Sequence, residues 1–316
     1  MSRTNFNELL DAGVHFGHLK RKWNPNMAPY IFMERNGIHI IDLKKTTDKI
    51  DIAASALKQI AKSGRKILFV ATKKQAKEIV SERVQQINMP YVTERWPGGM
   101  LTNFPTIRKT VKKMASIDKM STDGTFDNLS KREKLQITRQ RAKLYKNFGS
   151  IADLTRLPAA LFAVDVSKEH IAVREARRLN IPVFAIVDTN SDPTLIDFPI
   201  PANDDASKSI SLIINICSKA IQEGLEERKL EKDKEASEKD KKTEKKEVKP
   251  KDEEAKEKPE GKDDKKTLED TSTDKVKDID IKEKDKKNSN EDNTNAKLTG
   301  SEKEEKKETV TTKKGE

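Results

Sequence analysis

Lys66-Ile-Leu-Phe-Val-Ala71, followed by Thr72-Lys-Lys-Gln75, is the stretch that decides the fold. It is apolar at every position rather than alternating, as a strand covered on both faces should be. A run with helical periodicity, Lys73–Asn88, follows at once, and the Thr72 to Gln75 spacing predicts a capping box. The same sequence of events recurs downstream. Ala160-Leu-Phe-Ala-Val164 is apolar throughout and leads into a helix pattern over Lys168–Asn180, which leads into Val183-Phe-Ala-Ile-Val187. Ile38-His-Ile-Ile-Asp-Leu43 reads as a fourth, weaker strand.

Helices fill the remaining space. Thr46–Ser63 places Ile50, Ala53, Ala54, Leu57 and Ile60 on one face, with Gly64 just past its end. Ala206–Glu223 turns Ile210, Ile213, Ile214 and Cys217 inward, with Gly224 after it. Strands alternating with helices predict an α/β fold with a parallel, Rossmann- or flavodoxin-like sheet flanked by helices.

One segment, about 104–149, breaks this rhythm. It carries two long helix patterns around Ser121-Thr-Asp-Gly-Thr125. Ile107, Val111 and Met114 mark the inner seam of the first, and Leu135, Thr138, Ala142 and Tyr145 that of the second. Narrow seams of this kind predict an inserted antiparallel helical hairpin.

Charge divides the chain in two. Of 316 residues, 64 are Lys or Arg and 53 Asp or Glu, a net charge of +11. Residues 1–225 hold a net +13, whereas 226–316 hold −2, with no aromatic residue. A Lys/Glu-rich stretch with so little apolar surface cannot offset the entropy of ordering. We therefore expect one folded α/β domain over 1–225 and a disordered tail over 226–316. No apolar run reaches the roughly 18 residues of a membrane span, and the start has no signal-peptide core. The one cysteine, Cys217, permits no disulfide framework and no cysteine zinc site. A cytoplasmic protein is expected.

Catalytic signatures are missing where the fold class would put them. The strand-to-helix turns at Thr72-Lys-Lys-Gln75, Asp165-Val-Ser-Lys168 and Asp188-Thr-Asn-Ser-Asp192 contain no glycine for phosphate approach. Asp165 and Asp188 sit at strand ends, where they suit either a cation or turn formation and helix capping; no base, nucleophile or phosphate loop accompanies them, and turn formation and capping are the expectation. An enzyme using this pair in a metal-assisted reaction is the alternative. His15 and His18 are three apart, but Gly13 and Gly17 argue against the helix that would align them on a metal. We expect no catalytic residue, metal or cofactor, and no small-molecule substrate.

The basic signal is stronger. Lys20, Arg21 and Lys22 precede Trp23; Arg95 and Trp96 precede Pro97-Gly98-Gly99, with Asn103 close behind. Arg108, Lys109, Lys112 and Lys113 share a face of the first hairpin helix, and Arg139 and Arg141 lie on the second. Residues 101–150 hold 12 basic and 4 acidic side chains. Cations neutralise phosphates, and guanidinium and indole groups stack on exposed bases, so these positions are the candidate contacts to structured RNA.

Six stretches make the chain resemble a known family. They are Leu9-Leu-Asp-Ala-Gly-Val-His-Phe-Gly-His18, Trp23-Asn-Pro-Asn-Met-Ala-Pro-Tyr-Ile-Phe32, Ile38-His-Ile-Ile-Asp-Leu43, Phe69-Val-Ala-Thr-Lys-Lys-Gln-Ala76, Arg95-Trp-Pro-Gly-Gly-Met-Leu-Thr-Asn-Phe104 and Ile196-Asp-Phe-Pro-Ile-Pro-Ala-Asn-Asp-Asp-Ala206. Over residues 2–228 the chain is similar to the bacterial small-subunit ribosomal protein S-two family. The resemblance implies a parallel α/β domain with an inserted hairpin, seated between head and body of the small ribosomal subunit. It implies small-subunit rRNA and neighbouring ribosomal proteins as partners, recruitment of the mRNA-binding ribosomal protein S-one, and no enzymatic activity. It makes Lys20–Trp23, Arg95–Phe104 and the basic hairpin the rRNA contacts, and says nothing of the tail. A free RNA-binding regulator is the remaining alternative.

Overall fold

A computed structural model describes residues 3–247 of the chain. The elements run α1 (Phe6–Asp11), β1 (Phe16–Leu19), β2 (Ile31–Arg35), β3 (Ile38–Ile41), α2 (Leu43–Lys62), β4 (Ile67–Val70), α3 (Lys74–Gln86) and β5 (Tyr91–Val92). They continue with α4 (Phe104–Thr122), α5 (Lys131–Phe148), β6 (Ala160–Ala163), α6 (His170–Arg178), β7 (Val183–Val187), β8 (Phe198–Pro201) and α7 (Ser207–Glu247).

The central sheet is parallel throughout, in the order β5-β4-β6-β7-β8. Its register aligns Phe69 with Phe162, Phe162 with Phe184 and Phe184 with Phe198. Four rings therefore cross the sheet in one row, with centroids 5.1 Å apart for Phe69–Phe162 and 4.4 Å for Phe184–Phe198. Each fully buried phenylalanine contributes about 1.5–3 kcal/mol relative to exposure. Inward residues of α2, α3 and α7 cover this face, among them Ile50, Leu57, Val80, Val84, Ile210 and Ile214. The opposite face carries Leu68, Val70, Leu161, Ala163, Val183 and Val187 under α6 and the base of the hairpin. This layering explains why β4, β6 and β7 are apolar at every position.

β8 went unread in the sequence because Phe198-Pro-Ile-Pro201 holds two prolines. It is an edge strand, where a missing N–H disrupts no further ladder. Ile38–Ile41 does not join the main sheet. It is the middle strand of a separate antiparallel sheet, β1-β3-β2, closed by Asn36-Gly37 with both residues at positive φ (54° and 74°). Asn-Gly is the dipeptide that such a hairpin turn favours.

The inserted hairpin is present as α4 and α5. Of the expected seam of α4, Ile107 and Met114 are buried and Val111 is half-buried; Ile117, one turn further, is buried as well. The seam of α5 differs from the expectation: Leu135 and Tyr145 are 52% and 58% exposed. Phe148 is buried and Leu144 half-buried instead. Apolar residues on both sides of α5 made two seams legible, and only the partner helix decides between them. Ser130 and Glu133 form the capping box that opens α5. The box expected at Thr72 is absent, because its N–H and Oγ1 both donate to Glu169 Oε1, at 2.8 and 2.6 Å.

α7 packs along α2. Gly224 permits the approach: a Cβ there would lie 2.4 Å from the Lys58 carbonyl oxygen. Lys58 and Lys62 reach Glu227 and Glu231 at 2.7 and 2.6 Å, and Arg3 meets Glu223 at 2.8 Å. The tail expected from residue 226 overlaps this helix as far as Glu247, and 248–316 lie outside the described residues. Among the described residues no helix is long and apolar enough to cross a membrane.

Candidate nucleic-acid interface

Two supports present the basic residues. The first is the turn after β1. Lys20–Lys22 form a single 3-10 turn, and the Asn24 N–H donates to the Thr189 carbonyl at 2.8 Å, pinning the segment to the loop after β7. Lys20 pairs with Glu34 at 2.8 Å; Arg21 and Lys22 are exposed. Trp23 is 37% exposed, with its indole 5.2 Å from the buried His39 ring. One ring edge is thus held by the protein while part of the surface faces outward.

The second support is the loop from Arg95 to Asn103, and its organiser is Glu175. This carboxylate lies on the inward stripe of α6 with Ala172, Val173 and Ala176. Its Oε1 accepts hydrogen bonds from Trp96 Nε1 at 3.2 Å and Gly99 N–H at 2.7 Å. Its Oε2 accepts from Leu101 N–H at 2.9 Å, Thr102 N–H at 3.2 Å and Thr102 Oγ1 at 3.3 Å. Burial works against the charge, but these N–H donors outweigh it and hold the Glu175 pKa below its ordinary value. The loop is therefore wrapped around an anion supplied by another element. Gly99 at φ 84° takes the left-handed turn this wrapping requires.

The wrapping decides which side chains face outward. Arg95 and Asn103 are exposed, but Trp96 is not the base-stacking ring expected of it: it is 7% exposed and belongs to the core. Nothing adjacent in sequence signals this, because the deciding residue is Glu175. A lone glutamate in line with the apolar stripe of α6 is the signal that points to it.

On the hairpin, Lys109, Lys112, Lys113 and Arg139 are exposed. Arg108 is half-buried and donates from Nη1 to the Leu154 carbonyl at 2.9 Å, so it ties the hairpin to the body rather than standing free. Arg141 bridges the two helices, from Nε to Asp118 Oδ1 at 2.7 Å, with its guanidinium carbon 5.1 Å from the Tyr145 centroid.

The strand ends hold a second cluster. Asp165 Oδ1 accepts the Lys168 N–H at 3.2 Å, which closes a turn ahead of α6 rather than capping the helix, since α6 begins at His170 with no side-chain cap. Asp188 Oδ1 accepts the N–H and Oγ1 of Thr189, and its Oδ2 lies 2.9 Å from His18 Nδ1. Lys73 Nζ reaches Asp204 at 2.7 Å, Asp205 at 2.6 Å and Asp165 at 3.5 Å. Burial, with Asp165 and Asp188 nearby, pushes Asp204 up to about 7. The hydrogen bond to Asp188 raises His18 despite burial. Lys73, Asp204 and Asp205 were not singled out in the sequence, and the topology alone gathers them. His18, Asp188 and Asp204 each place one metal-competent donor atom within 4.8 Å of the others; His15 is not among them.

Residues 9–224 match the family described as ribosomal protein S2. The small ribosomal subunit protein uS2 of Phocaeicola vulgatus is 76% identical over 238 residues, 75% of this chain and 85% of its own length. The protein of the same name in Bacteroides thetaiotaomicron is 75% identical over 238 residues, 75% of this chain and 86% of its own. That of Porphyromonas gingivalis is 73% identical over 232 residues, 73% and 83% respectively. The matched span begins in α1, includes both supports and the whole hairpin, and ends in α7 beside α2. On this evidence the chain belongs to the ribosomal protein S2 family.

Proposed function

We propose that this chain anchors on small-subunit rRNA through the Lys20–Trp23 turn, the Arg95–Asn103 loop and the basic face of the hairpin. The family is one of structural ribosomal proteins, so the chain is a constituent of the cytoplasmic ribosome's small subunit and not an enzyme. The finer reading places it at the junction of head and body, where it supports translation and the recruitment of the mRNA-binding ribosomal protein S-one.

One observation carries the RNA reading: the Glu175 carboxylate draws the loop inward while Arg95 and Asn103 stay exposed beside the basic start of α4. A buried anion shaping a cationic loop gives a preorganised surface for phosphate and stacked base. Arg21, Lys22, Trp23, Lys109, Lys112, Lys113 and Arg139 extend it. Trp96 and Arg108 act behind this surface as supports.

A neighbouring protein fits the small sheet. Phe16 and Met33 both pair with Ile40 across the strands, and both are exposed. With Leu19 and Phe32 also exposed, this apolar surface suits a protein partner rather than RNA.

Sucrose-gradient fractionation of a lysate at low and high salt tests the proposal. Co-migration with the small subunit, loosened as salt rises, is expected of an electrostatic anchor. Confinement to the top of the gradient refutes it and favours a free RNA-binding regulator.

A further inference from the structure

We propose that the crevice between the ends of β4 and β6 receives one extruded base of the rRNA, a base carrying an exocyclic amine, and that the Glu169 carboxylate reads that amine. The inference rests on the RNA-binding reading above and names one contact within it.

The topology puts the crevice where a ligand belongs. From β4 the chain runs to β5 on one side, and after the hairpin it returns on the other side as β6. In an open parallel sheet, the gap outside the strand ends at such a reversal is the common binding place. Here the gap is a cavity of about 190 Å³ lined by Thr72, Arg95, Trp96, Lys168, Glu169 and Ile171. Pockets for drug-sized ligands run about 300–1,000 Å³, so this one suits a single planar heterocycle rather than a whole nucleotide.

The floor supplies the chemistry. Glu169 is 2% exposed. Its Oε1 accepts from the N–H and Oγ1 of Thr72, at 2.8 and 2.6 Å; among the described residues no hydrogen bond reaches its Oε2. Burial, with the Asp165 charge beside it, holds this carboxyl above its ordinary range despite the bonds from Thr72. Glu175, further along α6, is the contrast, because its N–H donors keep it below that range. Glu169 is an acceptor short of donors, and an amine hydrogen on a base edge supplies one, as in the pairing of Glu with cytosine N4. A base that offers a carbonyl oxygen at the same place, as uracil does, puts two acceptors face to face. Glu94 also borders the cavity, but Lys77 and Lys146 already hold it at 3.4 and 3.3 Å.

The rim supplies the rest. Arg95 and Lys168 are exposed there. A guanidinium stacks on a base plane, and either cation meets the phosphate of the extruded nucleotide. Ile171, 43% exposed, offers the ring an apolar edge. Arg95 also begins the loop wrapped on Glu175, so the cavity opens directly onto the surface assigned to RNA. This continuity favours a base of RNA already held on that loop over a free nucleotide.

The test titrates the full chain, isotope-labelled at tryptophan, with cytidine monophosphate and with uridine monophosphate, followed by nuclear magnetic resonance. Trp96 borders the cavity and Trp23 lies on the separate turn after β1, so their indole signals report the two places. We expect saturable movement of the Trp96 signal with the cytidine nucleotide and at least about ten-fold weaker affinity for the uridine nucleotide. Glu169→Gln keeps its oxygen toward the Thr72 N–H and turns an NH2 group into the cavity, so it reverses the preference. The variant loses a charge that burial disfavours, so it melts at or above the wild-type temperature, and circular dichroism establishes its fold. Small-subunit rRNA displaces the cytidine nucleotide from Trp96. No saturable movement of Trp96, equal affinity for the two nucleotides, or an unreversed preference in the folded variant overturns the proposal. A cytidine nucleotide that rRNA fails to displace overturns the assignment to an RNA base and leaves a site for soluble nucleotides. Co-migration with the small subunit is a separate readout, so the anchoring by basic residues stands or falls without this pocket.

Discussion

Replacing Glu175 by glutamine keeps the shape of the side chain and removes its charge. The amide oxygen can still accept from Trp96 Nε1 and the Gly99 N–H, the two donors that now address Oε1. The new NH2 group then faces the N–H groups of Leu101 and Thr102, and donor meets donor. Two hydrogen bonds to a charged acceptor are lost, each worth about 1.5–3 kcal/mol, against relief from burying a charge. We expect a net loss of about 2–3 kcal/mol. At about 2–4 °C per kcal/mol for a domain of this size, the melting temperature falls by about 4–12 °C.

The pH dependence follows from the same site. Glu175 is held below its ordinary value of 4.5 in the fold, so its contribution is complete above that value and is lost as pH falls toward the folded pKa. The gap between wild type and Glu175→Gln is therefore widest at neutral pH and narrows below about 4.5. Thermal denaturation of both proteins between pH 3.5 and 7.5 reads this directly. A Glu175→Gln protein that melts within about 1 °C of wild type at pH 7 would refute the claim that this carboxylate organises the loop.

The two tryptophans should separate. Trp23→Ala weakens binding to small-subunit rRNA by about 1–3 kcal/mol with little change in melting temperature, while Trp96→Phe loses one buried donor and costs about 1 kcal/mol of stability. Equal effects on affinity and stability in both would count against the distinction. Lys112→Glu with Lys113→Glu should lower the salt slope of RNA binding by about one unit per phosphate contact removed, without altering the far-ultraviolet spectrum; an unchanged slope removes this face from the interface. Gly224→Ala places a methyl group against the Lys58 carbonyl and should cost about 1–3 kcal/mol, measured by urea denaturation. A neutral result would mean that α7 and α2 are not in the close contact described.

β4, β6 and β7 were legible because burial on both faces leaves no polar position, and their helices because one face of each is apolar. β8 was hidden by Pro199 and Pro201, and β5, with two residues, is too short to carry a pattern. Of the small sheet only β3 reads as a strand; β1 and β2 bury no residue fully, so alternation is weak. Around the interface, the cationic residues were legible as composition, but their orientation was not. Arg95 and Trp96 look alike as RNA-contacting residues until Glu175, remote in sequence, pulls one of them inside. Arg108 likewise became a tie only when the chain returned with Leu154. The cluster at the strand ends draws on five separate stretches, around His18, Lys73, Asp165, Asp188 and Asp204, and no local spacing connects them.

The pairing of Ile67 with Ala160 sets a timetable for synthesis. β4 and β6 are adjacent in the sheet, yet the hairpin and its connections are made between them. At roughly 5–20 residues per second, an emerging chain holds β4 for about 5–20 s before its main partner exists. During that interval the two residues of β5 are the only strand of the finished sheet available to β4. An apolar strand with one open edge is an invitation to mispairing. The cationic hairpin, formed from local contacts, is complete before the sheet beneath it can close.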